Sequence, residues 1–219
     1  MWNQKVFEKS YSDNPKYLVV LLHGYGANAQ DLIDLSDYFS ESLPNAHFIA
    51  PNAIENWEGG FPDAYQWFSL SNGVERKSLE ETSGNIKRSN KALKKFIDEK
   101  LEDLDLYPEN LFIIGFSQGA MMAKYQGLIR QETIAGVIAL SGRLILPELT
   151  GEKITSKPKI CLIHGQDDEV VDFSHFLASK ETLKSLNIDF ESHALENLGH
   201  SINLEGIEIT SNFLKKQSQ

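Results

Sequence analysis

Gly115-Phe116-Ser117-Gln118-Gly119 sets a serine midway between two glycines. The residues before it, Leu111-Phe112-Ile113-Ile114, are apolar and half of them β-branched, and they read as a buried strand. Gln118 to Arg130 can continue as a helix. A serine at the apex of such a tight turn points its hydroxyl out of the sheet, with the unpaired N–H groups of the helix start behind it. Side chains two residues before or after would collide where the backbone folds over itself. This geometry suits a nucleophile in acyl transfer. The pentapeptide alone arises by chance in roughly one chain of this length in fifteen, so the reading requires partners elsewhere.

A serine hydroxyl is a poor nucleophile unless a base lies within hydrogen-bond reach and a third group fixes that base's tautomer. For this turn the expected chain order is Ser, then Asp or Glu, then His. His200 is the base candidate, since it follows an apolar run (188–195) in a loop with Gly199 and precedes another helix. His193 lies inside that run, His175 on a helix and His47 ahead of the serine; His23 and His164 each precede a glycine at a strand end. Three acids, Asp167, Asp168 and Asp172, are available to orient the base. The first two directly follow the apolar run Lys159–Ile163, and position alone does not separate them.

The stretch His23-Gly24-Tyr25-Gly26-Ala27-Asn28-Ala29 follows another apolar run and opens a helix. It fits G-x-G-x-x-A, a dinucleotide fingerprint, but that reading needs an acid about 20 residues on. The next strand instead ends Ala50-Pro51-Asn52. The histidine before the first glycine suits an oxyanion-hole loop of H-G-x-G type. In that geometry the N–H groups of Tyr25 and Gln118 converge above the serine.

Positioning these loops requires a parallel sheet. Tyr17–Leu22, His47–Ala50, 111–114, Ile134–Leu140, Lys159–Ile163 and Ile188–Leu195 read as strands, with Val6–Tyr11 as a short edge strand. Helical spacing recurs between them, in Leu32/Leu35/Phe39/Leu43 (ended by Pro44), in Ser83–Leu104, in Phe173–Leu186 and from about Asn203 to Lys216. Alternation of this kind argues for a mostly parallel α/β sheet with helices on both faces, as one domain spanning 1–219. Loops at the carboxyl ends of such strands meet in space. Residues 51–82 show no clean period, and their Trp57, Phe61, Tyr65, Trp67, Phe68 and Leu70 are candidates to cover the site. Only residues 141–158 separate two of the strands, too few for a large cap domain.

The balance of 21 Lys plus Arg against 31 Asp plus Glu, net −10, disfavours nucleic acid and anionic membranes as partners. No apolar run reaches bilayer length and none follows the N-terminus, so neither stable membrane insertion nor a signal peptide is expected. The one cysteine, Cys161, reads as a buried strand residue, and a cytoplasmic setting fits.

Taken together, His23-Gly-Tyr-Gly26, the 115–119 turn, His164-Gly-Gln-Asp-Asp-Glu-Val-Val171 and Leu198-Gly-His-Ser201 resemble the bacterial phospholipase/carboxylesterase family. These are α/β-hydrolase serine esterases related to acyl-protein thioesterases. Gln66-Trp67-Phe68-Ser69 is similar to the tryptophan–aromatic motif of their substrate loop. The resemblance selects Asp168, the fifth residue of the H-G-x-x-D motif. It implies a catalytic set of Ser117, Asp168 and His200 and cleavage of short to medium acyl esters or thioesters. It implies no cofactor and no metal. Trp67, Phe68, Phe61 and Trp57 become the expected substrate contacts. Tyr25 and Ser69 stand where the protein thioesterases usually carry leucine and aspartate, and Ser141-Gly142-Arg143 is closer to a small-esterase subgroup. A protein-depalmitoylating thioesterase and a catalytically idle hydrolase-fold binding protein are the alternatives. A homodimer is compatible with either.

Overall fold

Continuous apolar runs become interior strands because both of their faces are covered. In the computed structural model, which describes residues 2–71, 75 and 77–219, strand β1 (Val6–Ser10) pairs antiparallel with β3 (Ala46–Pro51) at one edge of a sheet. The rest of the sheet is parallel: β2 (Tyr17–Leu22), β6 (Leu111–Phe116), β7 (Gly136–Leu140), β8 (Ile160–Gly165) and β9 (Phe190–Leu195), in the order β1-β3-β2-β6-β7-β8-β9. Leu18 to Leu22 are fully buried, as expected of a parallel strand with helices on both sides.

From β2 the chain steps outward to β3, then returns to lay β6 on the other side of β2. The strand order therefore reverses between β2 and β6, and Leu22 lies opposite Gly115. Loops leaving such a reversal point open a crevice at the carboxyl edge, which here brings 23–28 beside 116–118.

One core face is filled by α3 (Leu79–Asp103) and α4 (Gln118–Ile129), the other by α1 (Gln30–Ile33), α2 (Ser36–Phe39) and α6 (Leu204–Gln217). Helix α5 (Ser174–Ser185) connects β8 to β9. Helix α3 starts before the expected Ser83 because Ser78 and Glu81 form a reciprocal capping box. The expected continuous helix through Leu32–Leu43 is instead two single turns. The Ser36 hydroxyl donates to Ile33 O at 2.6 Å, a local bond that competes with helix propagation; Leu32, Phe39 and Leu43 are buried all the same. The expected irregular stretch 51–82 contains a small antiparallel pair, β4 (Glu55–Asn56) with β5 (Tyr65–Gln66). Residues 72–74 and 76 of that stretch lie outside the described residues. The 141–159 segment holds a 3-10 turn (Pro147–Thr150) and no cap domain. Among the described residues no helix is long and apolar enough to cross a membrane.

Candidate active site

Ser117 links β6 to α4 with φ 55° and ψ −116°, a conformation that costs a non-glycine residue free energy. The surroundings enforce it. The Ser117 N–H donates to Leu140 O at 2.8 Å. A Cβ on Gly115 would lie 2.3 Å from the Gly119 carbonyl carbon, and one on Gly119 would lie 2.0 Å from Leu22 O. Both flanking glycines are thus required by close backbone approach.

His200, the candidate base, arrives on the loop after β9. Gly165 and Leu198 are so close that a Cβ on Gly165 would sit 2.1 Å from Leu198 O, and this apposition fixes the level of the His200 loop. His200 Nε2 lies 3.0 Å from Ser117 Oγ, and His200 Nδ1 lies 2.7 Å from Asp168 Oδ2. With Nδ1–H donating to the carboxylate, Nε2 accepts from the serine hydroxyl. The Phe116 ring packs on the imidazole at 4.8 Å.

The three acids part company here. Asp168 is buried, and its Oδ1 accepts the N–H groups of Val170 (2.9 Å) and Val171 (2.8 Å). Burial alone would raise its carboxyl. The hydrogen bonds from His200 and the Val171 and Val170 amides outweigh that and hold it below the ordinary carboxylate value. Asp167 is exposed, and Asp172 accepts the Ser174 N–H at the start of α5. Behind Asp168, buried His164 donates from Nε2 to Val171 O at 2.8 Å, which closes the 168–171 turn.

His23 is also accounted for by structure. Its Nε2 accepts the Ala53 N–H at 3.0 Å and its Nδ1 lies 2.8 Å from Gly24 O, while burial pulls it down to about 4. The place where a dinucleotide fold carries its acid is taken by Asn52, whose Oδ1 accepts the Ala29 N–H at 2.8 Å. His47 pairs with Glu8, and Cys161 is a buried strand residue whose thiol is pushed up by that burial.

A cavity of about 440 Å³ opens over Ser117, lined by Tyr25, Gln118, Leu70, Met121, Val170 and Val171 as well as His200. Tyr25 and Gln118, expected as backbone donors, both border it. As the first residue of α4, Gln118 has an N–H with no acceptor within the helix. The expected aromatic contacts require correction, for none of them lines the cavity. Trp67 and Phe68 are fully buried in the core. The Gln118 side chain accepts the Trp67 N–H at 2.8 Å and donates to Phe68 O at 2.7 Å, and the Trp67 indole donates to His23 O at 2.9 Å. An indole that finds its partner inside has no reason to face the site. Trp57 stacks on Phe61, which is 69% exposed, and meets Tyr25 edge-on at 5.8 Å.

Glu58 escapes a reading of the sequence. Its carboxylate accepts the Tyr25 hydroxyl, the Ser69 hydroxyl (2.6 Å) and the N–H groups of Leu70 and Ser71 (both 2.9 Å). Partial burial would raise it; Ser69, Tyr25 and the two amides hold it below the usual range. One side chain thus ties the 23–28 loop to the cavity wall at 70–71. No motif announces it, because two of its four partners are backbone amides and the other two are hydroxyls distant from it in sequence. Among the described residues, the donor atoms close enough to share a metal ion belong to Cys161, Glu191 and His193, away from this cavity, and Lys216 already pairs with Glu191 at 3.1 Å.

The family model for phospholipase/carboxylesterase proteins matches residues 3–218. The chain belongs to the phospholipase/carboxylesterase family. It is 32% identical to acyl-protein thioesterase 1 homolog 1 of Dictyostelium discoideum, over 90% of this chain and 89% of that protein. It is 28% identical to esterase YpfH of Escherichia coli, over 93% and 84%. Among solved structures, esterase PE8 superposes with a TM-score of 0.87 at 34% identity, covering 97% of each chain. The α/β-hydrolase arrangement and membership of a hydrolase family follow.

Proposed function

We propose that this member of the family is a carboxylic ester hydrolase using Ser117 as nucleophile, His200 as base and Asp168 as the group that orients it. Ser117 attacks the ester carbonyl while His200 Nε2 takes its proton. Asp168 holds the reactive tautomer and stabilises the imidazolium. The N–H groups of Tyr25 and Gln118 receive the charge that develops on the carbonyl oxygen; a single such donor is worth about 10²–10³ in rate. Water then cleaves the acyl-enzyme with His200 again as base. The observation that carries the reading is the relay of 2.7 and 3.0 Å through one imidazole. The cavity of about 440 Å³, walled by Leu70, Met121, Val170 and Val171, suits a short to medium acyl chain. Small-molecule acyl esters are therefore the substrates proposed.

Ser117→Ala is expected to remove several orders of magnitude of kcat, up to about 10⁶ as in other triad enzymes. Activity within tenfold of wild type would end the proposal. A second reading, action on acyl thioesters including lipidated peptides, is favoured by the 32% identity to a protein named as an acyl-protein thioesterase homolog. Matched oxoester and thioester pairs of graded chain length, with a palmitoylated peptide at the long end, decide between the two.

A further inference from the structure

A second cavity, of about 380 Å³, lies on the other side of His200, and its walls include Gly24, Asp31, Leu35, Phe116 and Ile202. His200 lines both this cavity and the one over Ser117. We propose that this second cavity receives the alcohol or thiol half of the substrate and favours leaving groups with an apolar body that are neutral or cationic. The proposal deepens the ester-hydrolase reading and rests on it.

The chemistry requires such a place. When the tetrahedral adduct collapses, the bond from carbonyl carbon to leaving atom breaks and its electron pair stays on the leaving atom. That atom takes from His200 Nε2 the proton first removed from Ser117, and the acyl group remains on Ser117. The leaving atom must therefore sit beside Nε2, and whatever it carries must extend away from the acyl chain. With the acyl chain among Leu70, Met121 and Val171, the second cavity, which shares His200 with the first, offers that space. Gly24 keeps the route open: a Cβ there would reach to 3.3 Å from Ser117 Cβ and 3.4 Å from Phe116 Cδ1, filling the strip between serine and cavity.

The lining sets the class of group. Leu35, Phe116 and Ile202 offer apolar contact, and among the described residues no lysine or arginine lines the cavity. Asp31 contributes a carboxylate that accepts the Asn28 N–H at 3.1 Å. An anionic leaving group is repelled by that carboxylate, whereas an ammonium gains from it.

The test holds the acyl group constant. Acetate esters of methanol, benzyl alcohol, choline and glycolic acid all pass through the same acetyl-enzyme, so differences in kcat/KM report acylation. Leu35→Trp, which fills the cavity, is expected to reduce kcat/KM for benzyl acetate at least tenfold more than for methyl acetate. It should leave the chain-length dependence of methyl esters in place. Asp31→Asn is expected to shrink the choline-over-glycolate preference at least fivefold, and carries the test if Leu35→Trp does not fold. Equal losses for methyl and benzyl acetate, or an unchanged choline-to-glycolate ratio, would overturn the assignment. If either of those results came with fluorophosphonate labelling of Ser117 at an undiminished rate in the same variants, the assignment alone would have failed, while absence of labelling in the wild type would remove the esterase reading itself.

Discussion

Lys124 lies on α4, two turns after Ser117, with no exposed surface. Its ammonium donates to Gly142 O at 2.7 Å, and burial pulls its pKa from the ordinary 10.5 down to about 7. A tenfold change in proton affinity corresponds to about 1.36 kcal/mol. The charged form is therefore disfavoured by roughly 4–5 kcal/mol where both folded and unfolded chains are protonated. The folded pKa is depressed, so between about pH 7 and 10.4 the unfolded chain holds the extra proton and stability rises with pH. Below pH 7 the full cost is present. Lys124→Met keeps a flexible side chain of similar volume and removes that cost. It leaves the Gly142 carbonyl unpartnered, at roughly 1–3 kcal/mol. The variant is therefore expected to be more stable than wild type by roughly 1–4 kcal/mol at about pH 6, and equal to or less stable than wild type at about pH 10. Urea unfolding of both proteins at the two pH values measures the difference. A stability change of the same size at both pH values, or a less stable variant at the lower one, would refute the reasoning.

Glu58→Gln keeps the shape but loses the charge that gathers Tyr25, Ser69, Leu70 and Ser71; kcat is expected to fall about tenfold, with Ser117 still reactive toward a fluorophosphonate. Because the Glu58 carboxyl is held below its ordinary value, its contribution to stability is present above the unfolded pKa and lost as pH falls through the folded one, a loss that acid titration of the variant should lack. Gly119→Ala forces a methyl onto the Leu22 carbonyl; a destabilisation of about 3 kcal/mol or more, read by thermal melting, is expected along with loss of activity.

The parts of the fold that the sequence displays are those where one local rule decides. Leu18–Leu22 could only be a strand covered on both faces, and the glycines at 115 and 119 announce a turn that nothing larger can make. The start of α3 is also legible, because its capping box stands in the sequence as S-x-x-E at Ser78 and Glu81, outside the apolar stripe that suggests Ser83. The break between α1 and α2 depends on which carbonyl the Ser36 hydroxyl finds, which periodicity does not report. Position alone leaves Asp167 and Asp168 equal. The geometry parts them, since one is exposed and the other buried against two amides. The aromatic residues of 51–82 mislead because hydrophobic character does not say which side of a loop faces inward. Trp67 and Phe68 are drawn into the core by the Gln118 side chain, a partner 51 residues from Trp67.

The proposed relay of Asp168, His200 and Ser117 would make one hydroxyl in this chain abnormally nucleophilic, and covalent capture measures that directly. Incubation of the purified protein with a fluorophosphonate, followed by peptide mapping, should find a single adduct on Ser117, lost in Ser117→Ala and slowed at least a hundredfold in His200→Ala. An unlabelled wild-type protein, or an adduct on another serine with Ser117 untouched, would contradict the assignment.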